Sequence, residues 1–289
     1  MHVISASRRT DIPAFYMPWF MNRLRAGEVQ YPNPFSKQVY TLALTPADVH
    51  SIVFWSKHYG PFLKHIDELE ERGYLFYCHY TITGAPRSLE PFVPAWEQSI
   101  VVFRRLASRT SPAHVQWRFD PILLTDELDA DFYVRRFTDI ACTLEGFTQR
   151  CYFSFASFYG KVRRRLEQEN VAFHEPETEE RRALVAQLAP IAAEHGITLY
   201  ACCQDNLVGD SVQQASCVDA DLLAELFPER PHVSRSGATR EHCGCAASRD
   251  VGVYDTCAYG CLYCYATQSH DRALARLRAH DDAAERLAM

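Results

Sequence analysis

Residues 115–155 read VQWRFDPILLTDELDADFYVRRFTDIACTLEGFTQRCYFSF, and this stretch decides the fold. Val115–Phe119 is short, apolar and aromatic, as a strand requires. Asp131–Leu144 is amphipathic at helical spacing, and Cys151–Phe155 reads as a strand again. Strand, helix and strand in close succession form the repeating unit of a parallel sheet, because parallel neighbours need a crossover between them.

The same alternation runs outward in both directions. Further strands are expected at Val3–Ala6, Val39–Leu44, Ile52–Trp55, Leu75–Tyr80 and Ile197–Cys202. Helical patterns fall at Phe15–Arg25, Phe62–Arg72, Pro94–Ala107, Tyr159–Glu169 and Glu179–His195. In the last of these Leu184, Leu188 and Ile191 share a stripe, and Gly196 supplies the stop signal. No G-x-G-x-x-G follows the first strand, which weighs against a dinucleotide-binding fold. The expectation is an α/β fold: a complete or partial (β/α) TIM-like barrel with a C-terminal cysteine-rich metal-binding segment. At 289 residues and 47% hydrophobic content the chain can bury a substantial core. The barrel is expected over 1–206. The cysteine-rich segment and a C-terminal helix packed on the barrel follow over 207–289, with a Pro/Gly/Ser-rich, linker-like stretch at Phe227–Gly244.

Polar residues load the carboxyl ends of these strands, where a barrel carries its chemistry. The first runs into Ser5, Ser7, Arg8, Arg9, Thr10 and Asp11, and the third into Trp55, Ser56 and Lys57. Later strands end in His79, Tyr80 and Thr81, in Arg118 and Asp120, in Ser154 and Ser157, and in Gln204, Asp205 and Asn206. Arg118 and Asp120 lie two apart and so face the same side of a strand. Taken singly, a structural ion pair or a helix cap explains each as well as catalysis does. Their recurrence on several strands marks Arg118, Asp120 and His79 as catalytic candidates.

Cys257, Cys261 and Cys264 stand in the run C-A-Y-G-C-L-Y-C-Y-A. Three thiolates on one loop can hold three irons of a 4Fe-4S cluster and leave the fourth iron open to a ligand. A zinc site short of one ligand, or a loop of reactive thiols, are the alternatives. Four more cysteines gather upstream: Cys202, Cys217 and the C-G-C pair Cys243 and Cys245. Cys202 and Cys203 are neighbours, so on a continuing strand only one points into a given site, and Cys202 is the choice. These four form a fully ligated second centre, a second 4Fe-4S cluster or zinc; the bland reading is buried small side chains. Cys78, Cys142 and Cys151 are assigned to the core.

The C-x3-C-x2-C spacing, with Tyr263 directly before the last cysteine, resembles the signature of the radical S-adenosylmethionine enzymes. The chain from C-G-C through D-V-G-V-Y-D-T-C-A-Y-G-C-L-Y-C-Y-A, with the S-A-S-R-R-T-D opening, is similar to a bacterial family of unknown function. That family's members share a C-terminal cysteine triad and are sometimes described as radical S-adenosylmethionine proteins or relatives of DNA-repair lyases. The resemblance implies S-adenosylmethionine at the open iron, its reductive cleavage, and hydrogen abstraction from an unknown substrate. It also implies cofactor-binding roles for Ser7, Arg8, Arg9, Asp11 and Tyr263, and a one-electron donor such as flavodoxin or ferredoxin. In ordinary radical S-adenosylmethionine enzymes the cysteine loop follows the first strand of the barrel, whereas here it follows nearly everything. If the sheet is cyclic, a loop after the last strand still lies beside the first.

The formal charge of −6 argues against a nucleic-acid partner, which the lyase-like relatives keep as an alternative. With no apolar run near membrane-spanning length and no secretory signal, the expectation is an oxygen-sensitive cytoplasmic protein without a membrane partner. Rival functions are a barrel enzyme with purely structural metal centres, and an iron–sulfur sensor or nucleic-acid repair factor.

Overall fold

Along each central strand alternate residues pack into one apolar and aromatic core, and those between them, a mix of apolar, polar and aromatic, face the other way. In the computed structural model, which describes residues 1–287 except Phe35, Lys37, Ser236 and 238–240, this alternation sorts the molecule into layers. Part of the linker-like stretch, Ser236 and 238–240, therefore lies outside the described residues.

Among the described residues the strands are β1 (His2–Ala6), β2 (Glu28–Pro32), β3 (Val39–Ala43), β4 (Val49–Ser56), β5 (Phe76–Thr81), β6 (Val115–Ile122), β7 (Arg150–Phe155), β8 (Thr198–Ala201), β9 (Val212–Gln214) and β10 (Arg249–Asp250). The α-helices are α1 (Ile12–Phe15), α2 (Met17–Ala26), α3 (Ile66–Glu71), α4 (Trp96–Arg109), α5 (Ala130–Leu144), α6 (Gly160–Gln168), α7 (Thr178–Glu194), α8 (Ala220–Leu226) and α9 (His270–Arg278). Eight strands form one sheet in the order β10-β1-β4-β5-β6-β7-β8-β9, with every neighbouring pair parallel.

The register places Phe54 beside Cys78, Tyr80 beside Trp117, and Phe119 beside Phe153. These residues point to the face covered by helices, where Phe20 of α2, Phe103 of α4, Phe137 of α5 and Leu188 of α7 complete one core. The opposite face presents Val3, Val53, Tyr77, Tyr152 and Cys202. It is covered by the chain that crosses from β9 at one sheet edge to β10 at the other, through Ala215, Cys217, Leu222, Phe227 and Cys245.

Several expectations change. Val39–Ala43 does not join the main sheet: it pairs antiparallel with β2 in a separate hairpin. The reason lies in its exposure, since of that strand only Leu42 is buried, whereas strands of a covered parallel sheet are buried on both faces. The 207–289 segment supplies β9 and β10, so it is woven into the sheet rather than appended to it. No pairing between β9 and β10 occurs among the described residues, so the observed architecture is an open eight-stranded parallel sheet without hydrogen-bonded closure. No helix among those residues is long and apolar enough to cross a membrane.

Phe54 sits at the centre of the helix-covered face, edge-on to Phe20, Phe62 and Phe76. Phe54→Ala is expected to cost about 3–5 kcal/mol by transfer and cavity terms. Chemical denaturation should show this as a lower midpoint with an unchanged slope.

Candidate metal centres at the carboxyl ends of the strands

The C-terminal loop reaches the site through one carboxylate. Asp250 ends β10, and its Oδ2 accepts from Ser5 Oγ at 2.8 Å and from the Arg8 backbone N–H at 2.8 Å. Its Oδ1 accepts from Ser7 Oγ at 2.6 Å and from the Gly252 N–H at 2.9 Å. A Cβ on Gly252 would stand 2.0 Å from Ser7 Oγ, so only glycine permits this approach. Residues 5–8 and 250–252 therefore meet at the end of β1, and the 257–264 loop follows shortly after.

That loop is held by groups from several elements. Tyr16 donates to the Thr256 carbonyl at 2.7 Å, and the Leu262 N–H donates to the Leu89 carbonyl at 3.0 Å. Arg165 of α6 reaches the Cys261 carbonyl at 3.2 Å and also the Cys264 carbonyl. Gly260, at φ +67°, makes the turn between the first two cysteines. Burial raises the Cys257 and Cys261 thiols above the usual range, and in Cys261 the Lys57 ammonium opposes that rise. Lys57 pairs with Glu90 at 2.8 Å, and Glu90 also accepts from Thr83 at 2.7 Å and from the Tyr263 hydroxyl. Asp11 caps α1 by accepting from the Ala14 N–H at 3.0 Å and takes the Lys57 N–H at 2.8 Å. Burial pushes its carboxyl up to about 7, against those hydrogen bonds.

The upstream cysteines form a second group on the crossover side of the sheet. Cys202 Sγ lies 3.6 Å from Cys217 Sγ and 4.0 Å from Cys203 Sγ. The Cys217 N–H donates to Cys245 Sγ at 3.2 Å, and Cys245 in turn interacts with Cys243. Arg118 Nη1 donates to Cys217 Sγ at 3.2 Å. Hydrogen bonds from Cys202 and Cys245 hold the Cys217 thiol well below its usual pKa, with Arg118 adding to the effect. The neighbouring Cys202 is pushed up by its contacts with Cys203 and Cys217 and by burial.

The residues expected to act in catalysis converge on this second group. His79 Nε2 donates to the Cys217 carbonyl at 2.7 Å, its ring stacks on Trp55, and burial lowers its pKa to about 3, so it is neutral. Arg118 is paired with Asp120, which also accepts from Ser154. Of the expected cofactor-binding residues, Ser7 is spent on Asp250, and Arg9 donates to the Gly252 carbonyl at 3.3 Å. The Arg8 guanidinium lies over Trp55 at 5.1 Å. Burial disfavours its charge, but Cys245, Cys217 and Asp250 outweigh that and raise its pKa overall. Sequence reasoning missed the anchoring roles of Asp250, Glu90 and Arg165. Glu90 and Arg165 lack any motif, whereas Asp250 opens the D-V-G-V-Y-D run that precedes the triad.

Among the described residues no three His, Cys, Asp or Glu side chains are grouped so as to hold a single metal ion as they stand. The donor chemistry nonetheless suits iron–sulfur ligation. Three cysteines share one loop, two of them with thiols in which burial disfavours unpaired charge, and Lys57 stands by to offset the charge of a bound anionic cluster. Arg8 Nη2 and Thr10 Oγ1 at the end of β1 are buried without a hydrogen-bond partner, so polar capacity remains for a ligand.

A family model described as "Domain of unknown function (DUF1848)" matches residues 3–266, a span that takes in both cysteine groups. No curated protein matches the chain.

Asp250→Ala leaves two hydroxyls and two backbone N–H groups without their acceptor. The loss is expected to be about 2–4 kcal/mol of stability. Hydrogen exchange should accelerate selectively over 249–266, and unchanged exchange there would show that the carboxylate does not anchor the loop.

Proposed function

We propose that this chain, which belongs to the DUF1848 family, is a radical S-adenosylmethionine enzyme whose sheet curls into a partial (β/α) barrel. The observation that carries the reading is the placement of the Cys257–Cys261–Cys264 loop. It follows β10, the neighbour of β1, and so reaches the polar strand ends although it comes last in sequence. In this reading the triad holds a 4Fe-4S cluster that supplies an electron for reductive cleavage of S-adenosylmethionine at its open iron, the step that leads to hydrogen abstraction.

The chain's own residues bind, orient and shield. Glu90 and Lys57 fix the Tyr263 ring beside the loop, and Lys57 offsets thiolate charge. The free Nη2 of Arg8 offers a fork for a carboxylate, and Asp11 a carboxyl for hydroxyl or ammonium groups. A cavity of about 230 Å3 opens at Glu90, lined also by Thr81, Thr83, Gly84, Trp96 and Arg136, and gives a substrate a route to this end of the sheet. Cys202, Cys217, Cys243 and Cys245 hold a second centre, a 4Fe-4S cluster or zinc. The guanidinium groups of Arg8 and Arg118 balance its negative thiolates. The electron comes from a donor such as flavodoxin or ferredoxin, in an oxygen-sensitive cytoplasmic protein.

One observation favours a rival in which metal centres only staple the fold: His79 and Arg118 are engaged in holding Cys217. Anaerobic reconstitution separates the two readings. The reduced protein should change its electron paramagnetic resonance spectrum on adding S-adenosylmethionine and should form 5'-deoxyadenosine. Replacing Cys257, Cys261 and Cys264 with Ala should remove one centre and abolish both responses. An unchanged spectrum with no 5'-deoxyadenosine sinks the proposal.

A further inference from the structure

We infer that the cavity beside Glu90 binds a small organic oxyanion, a carboxylate or phosphate, that also carries a hydrogen-bond donor. Arg136 takes the anion, and the second oxygen of Glu90 takes the donor. This rests on the reading of the cavity as the substrate's route, but not on a cluster at the triad.

Arg136 of α5 is half-buried on the cavity wall and has no carboxylate partner among the described residues. Its guanidinium lies over the Trp96 ring at 4.9 Å and the Phe132 ring at 5.6 Å, and its Nε is buried without a hydrogen-bond partner. Ring faces hold a guanidinium in place without using its in-plane N–H donors, so the fork stays available to an oxyanion. The backbone is shaped to admit this arm. Gly84, at φ +64°, passes so close that a Cβ there would stand 2.3 Å from Arg136 Cδ. Only glycine suits both the left-handed backbone and that approach.

The wall around Arg136 favours the same charge. α4 begins at the cavity with Trp96, and its N-cap, Ala95, supplies no side-chain acceptor. The first-turn N–H groups and the positive end of that helix dipole therefore border the space. Ser99, only 2% exposed, lines it from the next turn.

Glu90 is the opposite pole. It is 5% exposed, and Lys57, Thr83 and Tyr263 all direct their donors at Oε1. Oε2 accepts no hydrogen bond among the described residues, and Lys57 already balances the charge. A ligand hydroxyl or amine suits that oxygen. Because Tyr263 belongs to the triad loop, a ligand anchored at Arg136 lays its donor end toward the triad. The volume sets the size. About 230 Å3 holds roughly eight waters at ~30 Å3 each, below the ~300–1,000 Å3 of clefts for drug-sized ligands. A hydroxy acid or a short phosphate ester fits, and S-adenosylmethionine is too large.

The full chain is titrated without S-adenosylmethionine, and binding is read by calorimetry and saturation-transfer NMR. Glycolate or glycerol phosphate is expected to bind, and the tighter of the two names the oxyanion. Glycerol, with no anion, should not bind. Acetate and methyl phosphate, the counterparts without the hydroxyl, should bind several-fold more weakly; equal affinity overturns the role of Glu90. Arg136→Met keeps the stem over Gly84 and should weaken binding about tenfold to a hundredfold. Arg136→Lys keeps the charge but loses the fork and should fall between.

Ala95→Asp separates the site from general stability. An aspartate at this exposed N-cap occupies the first-turn N–H groups, so Tm should hold or rise by about 2–4 °C while the oxyanion is repelled. Binding of neither glycolate nor glycerol phosphate overturns the inference, as does unchanged affinity in Arg136→Met and Ala95→Asp. Displacement of the bound oxyanion by S-adenosylmethionine in the reconstituted protein overturns it too, since the cavity is then the cofactor's. Formation of 5'-deoxyadenosine is measured separately, so failure of the radical reading and failure of this one are distinguishable.

Discussion

The Asp250 carboxylate is the joint on which the rest depends. Its two oxygens accept four hydrogen bonds, three from residues 5–8 and one from Gly252. A carboxylate with its lone pairs so fully engaged is expensive to leave unpaired, so β10 is held beside β1 by more than its two-residue ladder. Everything after it inherits that position. Tyr265 donates to the Arg8 carbonyl at 2.7 Å, and Tyr16 fixes the Thr256 carbonyl. A loop distant in sequence thereby becomes the neighbour of the first strand.

The sheet tolerates polar groups on one face because that face is covered by a chain that answers them. Tyr77 and His79 both donate to the Cys217 carbonyl, each at 2.7 Å, and Arg150 pairs with Asp219 at 2.9 Å. Aromatic rings fill the space between: Trp55 stacks on His79, and Tyr152 stacks on Tyr200 and meets His79 edge-on. Buried polar groups that are satisfied in this way specify where the crossover sits, whereas the helix-covered face is set mainly by apolar packing, with donors such as Trp117 and Tyr59 paired to backbone carbonyls. The two faces therefore do different work. One supplies stability and the other fixes the cysteines.

Much of the central sheet was legible because β1 and β4 to β8 carry strong apolar or aromatic runs with helical patterns between them. β9 and β10 were not, since strands of three and two residues owe their existence to neighbours rather than to any pattern of their own. Val39–Leu44 looked like another sheet strand because its residues favour extended backbone; only the burial of Leu42 alone betrays the hairpin. At the candidate site the cysteine motifs were visible, but their partners were not. Glu90 and Arg165 are ordinary charged residues in sequence, and only the fold brings them to Tyr263 and to the carbonyls of Cys261 and Cys264. The alternation rule sends the Cys203 side chain to the face opposite Cys202, but it holds for extended backbone; here the backbone is left-handed and the two thiols stand 4.0 Å apart.

Arg8 ties the two cysteine groups together. Its backbone N–H is fixed by Asp250 and its carbonyl by Tyr265, the residue after Cys264. Its guanidinium lies over Trp55, within the electrostatic reach of Cys217 and Cys245. The main chain of this residue therefore belongs to the triad side and its charge to the second group. Thiolate charge at the second group favours the charged guanidinium. Cations held in buried positions respond to nearby charge more strongly than exposed ones, because little solvent screens them. Arg8 is thus the residue at which the triad loop and the second cysteine group meet.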